Sequence, residues 1–249
     1  MEFLIVCPLV FLAGLIDAIA GGGGLISLPA YFFAGLPAHA ALATSKLSST
    51  MGTAVATIKF ALRGYMIKNY LIAGVIFGLA GSFIGSNLVL IASNELLMIF
   101  MLLSLPAVGF FVLKTKDLDD FADRRRSKRT AMLLVSGISF TVGIYDGFYG
   151  PGAGTFLLLL LTSVAHLSMR EAAGTTKAIN LATNVSALVV FLLSGNVVII
   201  LGLVAGLFNI AGNWIGANLF HKKGSAIVRP ILVVVLILFA LKLLYDLFA

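Results

Sequence analysis

Long uncharged apolar runs set the plan of this chain. Residues 69–92, 96–113 and 178–220 contain no Asp, Glu, Lys or Arg. A helix needs about 20 mostly apolar residues to cross a bilayer, so each of the first two runs is read as one span. The third is too long for one, and Ser194-Gly195-Asn196 divides it. The pattern predicts spans at 39–62, 66–92 and 95–113, then at 171–193, 197–219 and 226–246. Ahead of each group of three, an apolar segment runs into a glycine cluster and a shorter apolar segment follows.

The two groups are copies of one unit. Asp17 precedes Gly21, Gly22, Gly23 and Gly24; at an offset of 129, Asp146 precedes Gly150, Pro151, Gly152, Ala153 and Gly154. Ala43-Thr44-Ser45-Lys46 matches Gly174-Thr175-Thr176-Lys177 at an offset of 131. The block Gly81 to Leu88 matches Gly212 to Leu219 at the same offset. Blocks in the same order at nearly constant spacing mark an internal repeat. The first repeat is 1–114, a basic linker is 115–129 and the second repeat is 130–249. The second copy also excludes a signal peptide as the reading of residues 3–20, as do the missing basic start and Asp17.

Composition and charge sharpen this picture. Hydrophobic types are 60% of the 249 residues and charged types 11%, against roughly 25% charged in soluble domains. The net charge of +7 lies in short loops, which points to membrane topology and away from nucleic acid. Lys and Arg occur at Arg63 to Lys68, in the linker, near Arg170 and at Lys222-Lys223, and are absent from the loops at 35–38, 92–94 and 194–196. Every basic loop falls in the cytoplasm if each glycine-broken pair crosses an even number of times, as a re-entrant hairpin or as two spans. The fold class expected is therefore all-α integral membrane. It has two inverted-topology repeats of a glycine-broken hairpin plus three spans each, 8–10 helices in all, with both termini extracytoplasmic. Inverted repeats are typical of secondary transporters.

The polar residues inside the spans are the candidate chemistry. Helices starting after the glycine breaks would point free N–H groups into a cavity and attract an anion; close helix packing is the competing role for such glycines. Lys46 and Lys177 lie roughly 10 Å into their spans at 1.5 Å per residue. Ionisable groups at that depth usually line a pathway, although a lysine stem can snorkel. Thr44, Ser45, Ser48, Ser49, Thr175, Thr176, Asn180 and Asn184 add neutral hydrogen-bonding groups nearby. Together with Gly21–Gly24, Gly150, Gly152, Ala153 and Gly154 they form the expected substrate site. Asp17 and Asp146 are proton carriers, partners of the lysines or helix-end charges; Asn87 and Asn218 join them as coupling or gating candidates beside Gly-x-x-x-Gly faces. A Ser45–Lys46 hydrolytic dyad fails, because neighbours on a helix point about 100° apart. Single Cys7 forms no disulfide within the chain, and the histidines have no metal-site spacing. No catalytic residue, cofactor or metal is expected.

The pattern Gly14-Leu15-Ile16-Asp17 through Gly24, then Ala43-Thr44-Ser45-Lys46, and its echo from Gly143-Ile144-Tyr145-Asp146 through Lys177-Ala178-Ile179-Asn180, resembles the sulfite exporter TauE/SafE family, also called the toluenesulfonate uptake permease family. The resemblance covers essentially the whole chain. It implies an inner-membrane transporter of sulfite, sulfonates or related small anions, driven by an ion gradient such as protons. The partners implied are that small anion, membrane lipid and a coupling ion. The resemblance leaves the exact anion, direction and oligomeric state open. An anion channel or a transporter of other small organic anions is the alternative. Pro151 stands where the first copy has glycine, so the half-sites need not be equivalent.

Overall fold

A computed structural model describes residues 2–93, 96 and 126–223. The predicted spans at 95–113 and 226–246 and most of the linker lie outside the described residues. The rest is helical: α1 (Glu2–Ala20), α2 (Gly24–Phe33), α3 (Ala38–Leu62), α4 (Lys68–Ile91), α5 (Lys128–Phe148), α6 (Ala153–Ser163), α7 (Met169–Leu193) and α8 (Ile199–Lys223). Five of them, α1, α4, α5, α7 and α8, are long and apolar enough to cross a membrane. The predicted spans at 39–62, 66–92, 171–193 and 197–219 correspond to α3, α4, α7 and α8, and α5 begins inside the linker, at Lys128.

Helix ends follow local chemistry. Ser168 accepts from the Glu171 N–H while the Glu171 carboxylate accepts from the Ser168 N–H, a capping box that starts α7. Thr44 Oγ1 accepts from the Val198 N–H at 3.0 Å, fixing the chain entering α8 to α3. The helix ends at Gly64 and Gly195 adopt positive φ, +71° and +73°, which glycine reaches without Cβ strain.

At each break the chain doubles back. Gly23 lies against the Ala13 carbonyl and Asp17 Cβ, so α2 returns along α1. The returning arms have 10 and 11 residues, about 15 to 17 Å, half of a hydrocarbon core of about 30 Å. The arms they follow, α1 and α5, have 19 and 21 residues and are long enough to cross. Tyr31 in the returning arm donates to Ser48 Oγ at 2.8 Å and ties the hairpin to α3.

Helix contacts pair up when the repeats are exchanged. The α1–α8 packing answers α4–α5, α3–α8 answers α4–α7, and α3 packs on α7. Gly81 and Gly85 of α4 sit on the backbone of Phe140 and Ile144, as Gly212 and Gly216 of α8 sit on Phe11 and Leu15. These glycines let the helix backbones approach closely. Helices α3 and α7 are antiparallel: Lys46 meets Asn184, and eleven residues on Thr57 meets Lys177. Helices α3 and α8 are parallel, since Leu47 meets Gly202 and Arg63 meets Ala217.

The basic segments gather at one end. Tyr65 hydrogen-bonds His221 at 2.6 Å and lies under the Arg170 guanidinium. Ile67, Tyr70, Arg126 and His166 share one pocket there. Segments distant in sequence but alike in charge thus share a face.

Candidate functional site

Two buried ion pairs cross between the repeats. Lys46 Nζ of α3 lies 2.8 Å from Asp146 Oδ1 of α5 and 3.1 Å from Asn184 Oδ1 of α7. Lys177 Nζ of α7 lies 2.9 Å from Asp17 Oδ2 of α1 and also donates to the Asp17 carbonyl. Thr53 Oγ1 donates to the same Asp17 oxygen at 3.4 Å. Each lysine therefore reaches the hairpin of the opposite repeat. In this conformation the aspartates, open between three roles in the sequence, are the lysines' partners.

Both breaks are the geometric condition for this arrangement. Gly21 and Gly150 occupy equivalent places and have φ of +75° and +99°. A Cβ on Gly21 would fall 2.2 Å from the Gly154 carbonyl carbon, and one on Gly154 would fall 2.7 Å from the Gly21 oxygen. Thr155 Oγ1 donates to Ala20 O at 3.0 Å across the same contact. A Cβ on Gly150 would stand 3.1 Å from Lys46 Nζ and 3.2 Å from Asp146 Oδ1. Glycine there leaves room for the ion pair.

The breaks, α3 and α7 enclose a cavity. Of the residues expected to bind substrate, Gly21, Gly23, Gly24, Ser45, Lys46, Ser49, Gly150, Gly154, Asn180 and Asn184 line it, with Asp17 and Asp146. The structure places Gly22, Thr44, Ser48, Gly152, Ala153, Thr175, Thr176 and Lys177 outside that lining. Thr44 and Ser48 serve the helix contacts described above, and Gly152 is the left-handed cap of α6. Thr175 and Thr176 are buried with hydroxyls that have no partner among the described residues. Asn87 bonds the Phe83 carbonyl of its own helix, and Asn218 accepts from Lys59 and Arg63 at the basic end. Neither asparagine joins the cavity.

The cavity also holds Pro151 and, not singled out by sequence reasoning, Ser27, Thr53, Tyr149 and Asn209. Thr53 was within reach, since Asn184 is its repeat partner at the offset of 131. Asn209 faces Gly52, and its repeat partner Gly78 is no signal. Pro151, which stands where the first copy has glycine, lies in the break against Gly24, and α6 begins at Ala153.

The amides at the breaks are less free than helix starts suggest. Leu25 N–H closes on Gly22 O, Ile26 and Ser27 N–H on Gly23 O, and Ala153 N–H on Gly150 O. Those of Gly22, Gly23 and Gly24 keep no backbone acceptor among the described residues. The site is also asymmetric. Lys46 faces the cavity and Lys177 does not, while Asp146 Oδ2 is buried without a hydrogen-bond partner. Two desolvated charges are stabilising only with near-ideal mutual geometry, and apolar residues often serve stability as well or better. Retained ionisable groups inside a membrane protein point to a pathway.

Comparison with known proteins agrees with this architecture. The family model for Sulfite exporter TauE/SafE matches residues 6–243. The probable membrane transporter protein ORF9 of Sinorhizobium sp is 33% identical over 246 residues, 99% of this chain and 93% of that relative. The probable membrane transporter protein YfcA of Escherichia coli (strain K12) is 33% identical over 235 residues, 94% of this chain and 87% of its own. YdhB of Bacillus subtilis (strain 168), a probable membrane transporter protein, is 27% identical over 256 residues, 95% of this chain and 100% of its own. No solved structure matches. With a match that spans both repeats, the chain belongs to the sulfite exporter TauE/SafE family of membrane transporters.

Proposed function

We propose that this chain is a secondary transporter of small sulfur-containing anions, sulfite or organosulfonates, across the cytoplasmic membrane. The observation that carries the reading is the Lys46–Asp146 pair, buried, bridging the repeats and facing a cavity walled by both glycine breaks. An oxyanion entering there meets the ammonium, the side-chain amides of Asn180 and Asn184, and the Ser45 and Ser49 hydroxyls. It competes with Asp146 for Lys46. The displaced carboxylate then needs a countercharge, which a coupling cation entering with the anion supplies, a proton being the first to test. The Lys177–Asp17 pair, whose lysine stands outside the cavity here, takes the same part when the transporter faces the other way.

Inverted repeats support alternating access of this kind. Exchange of the repeats maps α3 onto antiparallel α7, so the relating axis is perpendicular to the spans. Helices that cross a bilayer put that axis in the membrane plane. The basic end faces the cytoplasm by the positive-inside rule, which leaves both termini outside.

Proteoliposomes holding a pH-sensitive dye test the transport reading. Isethionate, taurine, sulfoacetate, sulfite and sulfate are offered outside. We expect saturable uptake of at least one sulfur anion, with acidification of the lumen and faster flux at lower external pH. The sign follows from symport: a proton that enters with the anion is drawn from the external side. Absence of flux for the whole panel overturns the substrate class, and non-saturating flux without proton movement supports a channel.

Orientation has its own check. In a Cys7→Ser background, a cysteine at Asp120 is expected to resist an impermeant maleimide in intact cells, and one at Ala249 to react. Labelling of position 120 from outside would refute the inverted arrangement.

A further inference from the structure

The basic end carries a second concentration of positive charge that the transport site does not use. Lys59 of α3 and Arg63, one turn on at the C-cap of that helix, both reach over α8. Lys59 Nζ donates to Asn218 Oδ1 and to the Trp214 carbonyl, each at 3.0 Å, and stands 3.3 Å above the Trp214 ring. Arg63 donates to Asn218 Oδ1 and to the Ala217 carbonyl, each at 2.6 Å. Every one of these acceptors is neutral, and two cations share one amide oxygen. Neither makes an ion pair with a carboxylate among the described residues. With Val55, Ile58, Leu62 and Trp214 they line a groove whose other walls are apolar. Ile58, Leu62 and Trp214 are more than half exposed, at 58%, 82% and 55%.

We propose that this groove binds the headgroup of an anionic phospholipid. Two like charges crowded beside apolar walls repel each other, and water screens them poorly there. A phosphate oxyanion supplies the missing countercharge. The rest of the groove matches a lipid and not a soluble anion: the apolar wall takes an acyl chain, and an indole at this level is the usual anchor at a membrane interface. Basic pockets between spans on the cytoplasmic side are where anionic headgroups dock. The repeat also isolates the feature. Position 190, equivalent to Lys59, is valine, and position 83, equivalent to Trp214, is phenylalanine. The groove therefore exists on one face and plays no part in the paired chemistry of the cavity.

Trp214 is the sole tryptophan of the chain, so its fluorescence reports on this groove without any substitution. Purified protein is placed in phosphatidylcholine nanodiscs containing phosphatidylglycerol, with brominated acyl chains on one lipid or the other. Brominated phosphatidylglycerol is expected to reach half-maximal quenching at a several-fold lower mole fraction than brominated phosphatidylcholine. The Lys59→Gln/Arg63→Gln variant is expected to lose that preference while retaining quenching. Equal quenching by the two lipids in the wild-type protein overturns the proposal, as does full relief of the preference by millimolar inorganic phosphate, which would make the site one for a free anion. Anion flux is a separate readout, so failure here leaves the transport reading untouched.

Discussion

Lys46→Ala is expected to abolish anion flux, by about 100-fold or more, and also to destabilise the protein. Sequence reasoning alone predicts the first effect with folding largely kept. The structure changes the second half of that expectation. The lysine is one member of a pair whose side chains are 6% and 3% exposed, so its removal strands the Asp146 carboxylate in a desolvated site. Breaking a buried pair from one side costs about 3–5 kcal/mol. The double variant Lys46→Gln/Asp146→Asn removes both charges and keeps hydrogen-bonding groups at both places. It should recover most of the lost thermal stability and still fail to transport. Melting temperature separates the pair's structural role from its chemical one, and flux in proteoliposomes tests the chemistry. A double variant that moves anions at the wild-type rate would mean that Lys46 binds no substrate. The same reasoning applies to Lys177 and Asp17, where the loss of the lysine also removes a donor from the Asp17 carbonyl.

Much of this was legible because a membrane makes the pattern coarse. Uncharged runs locate spans to within a few residues, as α3, α4, α7 and α8 show. The repeat places Lys46 with Lys177 and Asp17 with Asp146 at equivalent depth. What it could not give is which lysine meets which aspartate. The fold pairs them across the repeats, because antiparallel α3 and α7 carry each lysine to the opposite hairpin. Polarity in a span was also an imperfect guide to the cavity. Thr44 and Ser48 are polar for the sake of a helix start and a tyrosine, and Asn87 satisfies a carbonyl of its own helix. Asn209 was invisible for another reason: its repeat partner is glycine, so the repeat does not mark it.

Substitution at the hairpin contact is expected to have the other large effect. Gly21→Ala should lose several kcal/mol of stability and with it all transport, whereas Gly22→Ala should change stability by less than about 1 kcal/mol. The two residues are adjacent in one glycine run, and composition does not distinguish them. Their surroundings do. A Cβ on Gly21 would lie 2.2 Å, 2.5 Å and 2.6 Å from backbone atoms of Gly154 and Thr155, at a φ of +75°. Left-handed backbone costs a residue with a Cβ about 1–2 kcal/mol, and overpacking adds about 1–3 kcal/mol. Backbone cannot step aside as a flexible side chain can, so relief requires the hairpins to separate. A Cβ on Gly22 finds Thr155 Oγ1 at 3.5 Å, an ordinary contact. Bulk at Gly23 is a poor probe of the ligand, because a Cβ there would meet the Ala13 carbonyl and Asp17 Cβ at 2.6 Å inside its own hairpin. Melting temperature of the two alanine variants in detergent, and flux of whichever survives reconstitution, make the comparison. Wild-type melting and flux in Gly21→Ala would show that the breaks need not touch, and the substrate site between them would lose its wall.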